Sequence, residues 1–242
     1  MLLLLRKLMP LLAVVAAGCG GVRTVQIDQY GGMREALMLG QTQGRVALRD
    51  VSARPGAYGV GALAGLEGEV TILDGVVTVS TPDGDGLRTA HDPGDATATL
   101  LTVGYVGDWD ARVLEESIGG IALENAIREA AADRGLAPLQ PFPFVILGDT
   151  AAYEAHVING ACPAAQPDLA DTFQPWRIQS DGQPQEIAVV GIYAENQQGV
   201  MTHHDSNVHM HVLAGGGTAP AWTAHLDSLQ IDAGAMLLLP SQ

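Results

Sequence analysis

Gly68-Glu69-Val70-Thr71-Ile72-Leu73-Asp74-Gly75-Val76-Val77-Thr78-Val79-Ser80 carries two apolar, β-branched runs on either side of an Asp-Gly pair. Both central residues of such a turn accept positive φ, so Gly68–Leu73 and Val76–Ser80 read as the two strands of a hairpin. Working outward, Val22–Tyr30 reads as a strand and Met33–Leu39 as a short helix, and Gly44–Asp50 with Ala57–Val60 leads into the hairpin. Thr81–Asp95 holds Pro82, Gly84, Gly86, Pro93 and Gly94 and reads as a loop, followed by a strand over Ala98–Val106. Val113–Arg134 is the one long stretch with helical spacing, with Glu124 and Arg128 as an i,i+4 ion pair and Gly135 and Pro138 as its stop. Phe144–Leu147 and Tyr153–Ile158 read as strands before the turn pair Asn159-Gly160, and Ala161–Pro184 as a proline-containing loop. Glu186–Glu195, Val208–Leu213, Ala221–Leu229 and Ala235–Leu239 are the remaining strands. The sum is an α+β chain: a strand-rich, two-lobed, mixed-sheet architecture with few helices. The lobes are expected over 19–140 and 141–242, with a seam between Pro141 and Pro184.

At 242 residues and 47% apolar, the chain can bury a substantial core. Its 27 acidic and 12 basic residues give a net charge of -15, the wrong sign for holding nucleic acid phosphates or adhering to anionic lipid through a basic face. Lys7 is the only lysine. If the first residues are removed, Schiff-base chemistry, covalent pyridoxal phosphate and a Walker-type phosphate loop all drop out.

Residues 1–18 place the basic pair Arg6-Lys7 before about eleven mainly apolar residues, the length of a signal-peptide core and too short to span a bilayer. Ala16-Ala17-Gly18 directly before Cys19 looks like a bacterial lipobox, in which the cysteine is acylated after cleavage. The expectation is export to the periplasm or cell surface, with the membrane touched only through a lipid anchor on Cys19; ordinary secretion with cleavage nearby is the alternative. Removal of 1–18 leaves 10 basic against 27 acidic residues, or -17. The other cysteine, Cys162, then has no intramolecular partner, so a disulfide-dependent fold and a cysteine zinc site are both excluded. Any metal must be held by His, Asp or Glu.

Six of the seven histidines follow residue 155. His209 and His211 alternate within Val208-His209-Met210-His211-Val212-Leu213, so on a strand their rings share one face at roughly 6–7 Å spacing. His225 lies on the next strand, after the Gly215-Gly216-Gly217 turn, and a hairpin would bring it opposite them. Three imidazoles with an open position form a catalytic metal pattern for Zn2+ or another divalent cation. The competing reading is a surface strand whose histidines face water. His203 and His204, beside Asp205, read as solvated loop residues.

With these residues in view, the chain resembles the α-acetolactate decarboxylase family. Gly59-Val60-Gly61-Ala62-Leu63-Ala64-Gly65-Leu66-Glu67-Gly68-Glu69-Val70-Thr71-Ile72-Leu73-Asp74-Gly75 is similar to that family's Gly-rich run ending in Leu-Asp-Gly. Val190-Gly191-Ile192-Tyr193 with His209-Met210-His211-Val212-Leu213, and His225-Leu226-Asp227, are similar to its later motifs. The resemblance implies two lobes with zinc between them, ligands His209, His211 and His225, and Glu69 as the carboxylate that handles a proton. It implies a branched 2-hydroxy-2-methyl-3-oxo acid as small-molecule partner, with acetoin and CO2 as products. The family's active-site arginine has no counterpart in His156-Val157-Ile158-Asn159-Gly160, and no arginine lies between Arg134 and Arg177; His156 and Arg177 are the candidates to stand in. The family's carboxy-terminal glutamate is also absent, since no acid follows Asp232. The alternatives to a carboxy-lyase are a non-catalytic or repurposed zinc-binding exported lipoprotein of this fold, and a zinc hydrolase with Glu69 as base. Homodimerisation is left open.

Overall fold

The computed structural model describes residues 25–136, 140–150, 152–161, 173–215 and 221–241. The amino-terminal address, Cys19 and Cys162 lie outside them. Among the described residues the strands form two sheets, of seven and nine strands, and every pairing between named strands is antiparallel rather than mixed.

The first sheet comprises β1 (Gln26–Tyr30), β2 (Val46–Ala47), β3 (Ala57–Leu63), β4 (Glu69–Leu73), β5 (Val76–Asp83), β6 (Gly86–Ala90) and β7 (Thr97–Tyr105), in the order β1-β7-β3-β4-β5-β6 with β2 on β7. Two short helices, α1 (Met33–Leu37) and α2 (Leu48–Ser52), interrupt it. The predicted β4–β5 hairpin forms, with Asp74 and Gly75 at φ 50° and 76°. A Cβ on Gly61 would lie 2.0 Å from the Leu100 carbonyl oxygen, so the glycine lets β3 and β7 close together beside the site.

The second sheet takes β8 (Trp109–Val113), β9 (Ile118–Gly119), β10 (Phe142–Thr150), β11 (Ala152–Val157), β12 (Trp176–Gln179), β13 (Gln185–Tyr193), β14 (Val208–Ala214), β15 (Trp222–Ile231) and β16 (Met236–Pro240). Its order is β12-β11-β15-β14-β13-β10-β16-β8, with β9 on β15, and α3 (Gly120–Asp133) packs on its outer face. The chain passes between sheets at residues 106–108, so 109–133 builds on the second sheet although it precedes residue 141.

Alternation along the strands creates the layers. Val70, Ile72, Val77 and Val79 face α2, while Leu73, Tyr58 and Val60 meet Val145, Ala188, Val190, Ile192 and Leu213 of the second sheet. Each valine, leucine or isoleucine so withdrawn from water contributes about 1.5–3 kcal/mol. This inter-sheet layer is apolar at one end. At the other end the same inward positions of β4, β14 and β15 are Glu69, Thr71, His209, His211, Thr223 and His225, all buried.

Four local readings are corrected. Thr81–Asp95 is not all loop: β5 runs through Pro82 and β6 pairs with it, an edge position that tolerates proline. Likewise β12 lies within 161–184 at the other sheet's edge. The helix begins at Gly120 rather than Val113, because Val113 is taken into β8 by β16 and Ile118–Gly119 into β9 by β15. Glu124 does not pair with Arg128; it is buried and accepts hydrogen bonds from the Asn207 side chain (2.5 Å) and the Ser206 hydroxyl (3.1 Å).

Candidate metal centre

His209 and His211 sit two apart on β14, and His225 is directly opposite His211 on β15. The ring centroids of His209 and His211 are 5.0 Å apart, and His225 lies 5.1 and 5.6 Å from them. One ring nitrogen from each falls within 4.8 Å of the other two, and the His209 and His211 Nε2 atoms approach to 3.2 Å. All three rings are buried, His211 completely, so they do not face water.

The donor chemistry fits a divalent ion. Burial pushes the His211 imidazole down to about 3 and holds His209 and His225 well below their ordinary 6.5, with the neighbouring imidazoles acting in the same direction. The rings are therefore neutral near pH 7, the form that binds metal. The separation of 3.2 Å is close to one edge of a tetrahedron with arms of ~2.0–2.1 Å. His211 Nδ1 stands 3.1 Å from the Thr71 hydroxyl, which is 2.5 Å from that of Thr223. With the ring N–H donating toward the Val70 carbonyl and Thr71 on β4, Nε2 is left with its lone pair toward the other two rings. The Met201 carbonyl accepts a hydrogen bond from His209.

Glu69, the first residue of β4, reaches this cluster from the opposing sheet. Its Oε2 is 3.6 Å from His211 Nε2, and its Oε1 accepts from the Ile158 backbone N–H at 3.4 Å. Burial raises the carboxyl to about 7, opposed by His156 and the Ile158 N–H and assisted by Asp227. A buried acid poised there can hold or release a proton near neutrality.

Two further histidines belong to the site. His203 is exposed, as expected, yet its ring centroid is 4.8 Å from that of His225 and it lines the cavity beside the metal candidates. His204 is exposed. His156, on β11, packs at 5.0 Å from His225 and gives its Nδ1–H to Asp227 at 2.8 Å. The alternation of Tyr153, Ala155 and Val157 into the core was the available signal that His156 points the other way, toward the site. Arg177 lies 3.5 Å from Asp227 and does not line the cavity. The cavity among Glu69, His156, His203, His209 and His225 is small, about 30 Å³.

Fold and site together define a class: two facing antiparallel sheets with buried histidines and one carboxylate gathered at one end of the layer between them. The fold is shared with solved structures of α-acetolactate decarboxylase. The chain is similar to the decarboxylase of Bacillus subtilis strain 168 (14% identity, 89% of this chain and 86% of that one, TM-score 0.64). It is similar also to that of Bacillus subtilis subspecies spizizenii (14%, 89% and 86%, 0.66). A Staphylococcus aureus protein of unknown function, described as similar to α-acetolactate decarboxylase, aligns comparably (15%, 88% and 84%, 0.63). At these identities the likeness is one of fold. No protein-family model matches the sequence, and no curated protein does.

Proposed function

We propose that this chain is a metal-dependent carboxy-lyase that converts acetolactate, or a closely related 2-hydroxy-3-oxo acid, to acetoin and CO2. The observation that carries this reading is the convergence of three buried neutral imidazoles with Glu69 at 3.6 Å from His211. His209, His211 and His225 would hold Zn2+ or another divalent ion. Such an ion would supply electrostatic stabilisation for the negative charge that builds as CO2 departs. The bond between the carboxyl carbon and C2 breaks, and its electron pair passes into the adjoining carbonyl. One proton must then reach C2, and Glu69, near 7, is the chain's group for delivering it. Burial among two sheets keeps bulk water from competing.

The test is metal analysis of the purified protein with acetoin measured on racemic acetolactate. Zinc near one per chain and metal-dependent acetoin are expected; zinc without acetoin above the metal-free control would sink the lyase. The small cavity, with no arginine lining it, favours a second reading in that event: a zinc-binding protein of this fold without turnover.

We infer export and lipid attachment from residues 1–19. In a bacterial host given labelled palmitate, the intact chain should take up label and Cys19→Ala should not; equal labelling would refute the anchor.

A further inference from the structure

Four adjacent strands of the second sheet place Arg177 (β12), His156 (β11), His225 (β15) and His211 (β14) directly opposite one another in sequence. Opposed residues share a face, so this row points with His211 into the layer between the sheets. His156 thus extends the line of candidate ligands by one strand. It is fixed differently from them, because its Nδ1 lies 2.8 and 2.9 Å from the two oxygens of Asp227.

Asp227 reaches it through a break in the pairing. Glu154 opposes Ser228 and Ala155 opposes Leu226, so Asp227 is the extra residue of a β-bulge with no opposite number on β11. Bulges of this kind re-aim side chains beside binding sites. Arg177 holds Asp227 from outside at 3.5 Å. A carboxylate only accepts, so the proton between them belongs to Nδ1. With Nδ1 so engaged, Nε2 is the ring's remaining hydrogen-bonding atom, and no hydrogen bond joins it to a described residue. The ring lines the cavity, across which Ile158, two residues further on, supports Glu69.

We propose that His156, positioned by Asp227 and Arg177, accepts a hydrogen bond from the hydroxyl of a hydroxy ketone or 2-hydroxy-3-oxo acid seated at the three-histidine site. His156 is then a specificity residue. A ligand without that hydroxyl leaves this partly buried acceptor without a partner in the cavity, which is how a site selects for a hydroxyl. The assignment rests on the metal reading above and deepens it, but it concerns binding rather than turnover.

The experiment is calorimetric titration of the zinc-loaded protein with acetoin, with butane-2,3-dione, which replaces the hydroxyl by a second ketone, and with pyruvate, which carries a carboxylate. His156→Ala and Asp227→Asn should keep zinc, weaken acetoin about tenfold and leave the dione within about twofold. His156→Gln, whose amide oxygen also accepts, should recover part of the acetoin affinity. Loss of zinc in both His156→Ala and His156→Gln would make His156 a ligand and overturn the assignment. So would equal weakening of acetoin and dione, unchanged acetoin affinity, selective loss of pyruvate, or no acetoin binding by the zinc-loaded wild type. Failure to decarboxylate acetolactate, with these affinities as expected, would sink the lyase and leave the hydroxyl contact standing.

Discussion

On the proposed reading, exchange of His211 for alanine should remove zinc from the protein and take acetoin formation to the level of the metal-free control. His211 is the fully buried member of the set, and its Nε2 faces both His209 Nε2 at 3.2 Å and Glu69 at 3.6 Å. Without it two imidazoles remain, and metal affinity should fall by more than the ~10–100-fold that loss of a mere supporting group costs. The fold should survive, because Thr71 and Thr223 keep their mutual hydrogen bond and the inter-sheet apolar end is untouched. The void left behind costs about 2–5 kcal/mol, visible as a lower melting temperature of the metal-free protein. His204→Ala is the control: its ring is exposed, and zinc and activity should persist. Retained zinc or retained turnover in His211→Ala would contradict the ligand assignment.

The parts of this centre that were legible in the sequence are those encoded by local period. His209 and His211 are two apart on a strand whose alternate residues Val212 and Ala214 enter the core, so a shared face follows from spacing. Asp74-Gly75 announced its hairpin for the same reason, and the hairpin places Glu69. His156 and His203 were harder. Their nearness to His225 depends on which strand lies beside which, on a bulge at Asp227, and on a loop held to α3 through Glu124. None of these is a property of a short window. The missed strands β6 and β12 share one cause: both lie at sheet edges, where pairing on one side suffices and proline or glycine nearby does little harm. The start of α3 lies later than helical spacing suggests because β16 and β15, more than a hundred positions later, capture Val113 and Ile118–Gly119.

Glu69→Gln should leave zinc in place and lower acetoin formation by about 10²–10⁴-fold, the usual worth of a positioned proton carrier. Glutamine matches the shape of the buried glutamate and can still accept from the Ile158 N–H, so position is preserved. What it lacks is a proton that comes and goes near pH 7. Turnover within about tenfold of wild type would remove Glu69 from the mechanism. The same substitution reports on the electrostatics without any substrate. Glu69's folded value of about 7 lies above its ordinary 4.5, so its contribution to metal-free stability is full below 4.5 and is lost as pH rises through 7. The three imidazoles have folded values below 6.5, so theirs is full above 6.5 and is lost as pH falls. His203 is lowered in the same direction, so between 4.5 and 6.5 the two slopes oppose each other with four imidazoles set against one carboxyl. In demetallated protein, melting temperature should therefore fall on acidification, and fall more steeply in Glu69→Gln, where the opposing carboxyl is gone. An unchanged slope would mean that Glu69 is already ionised in the folded chain, with no proton to deliver at neutral pH.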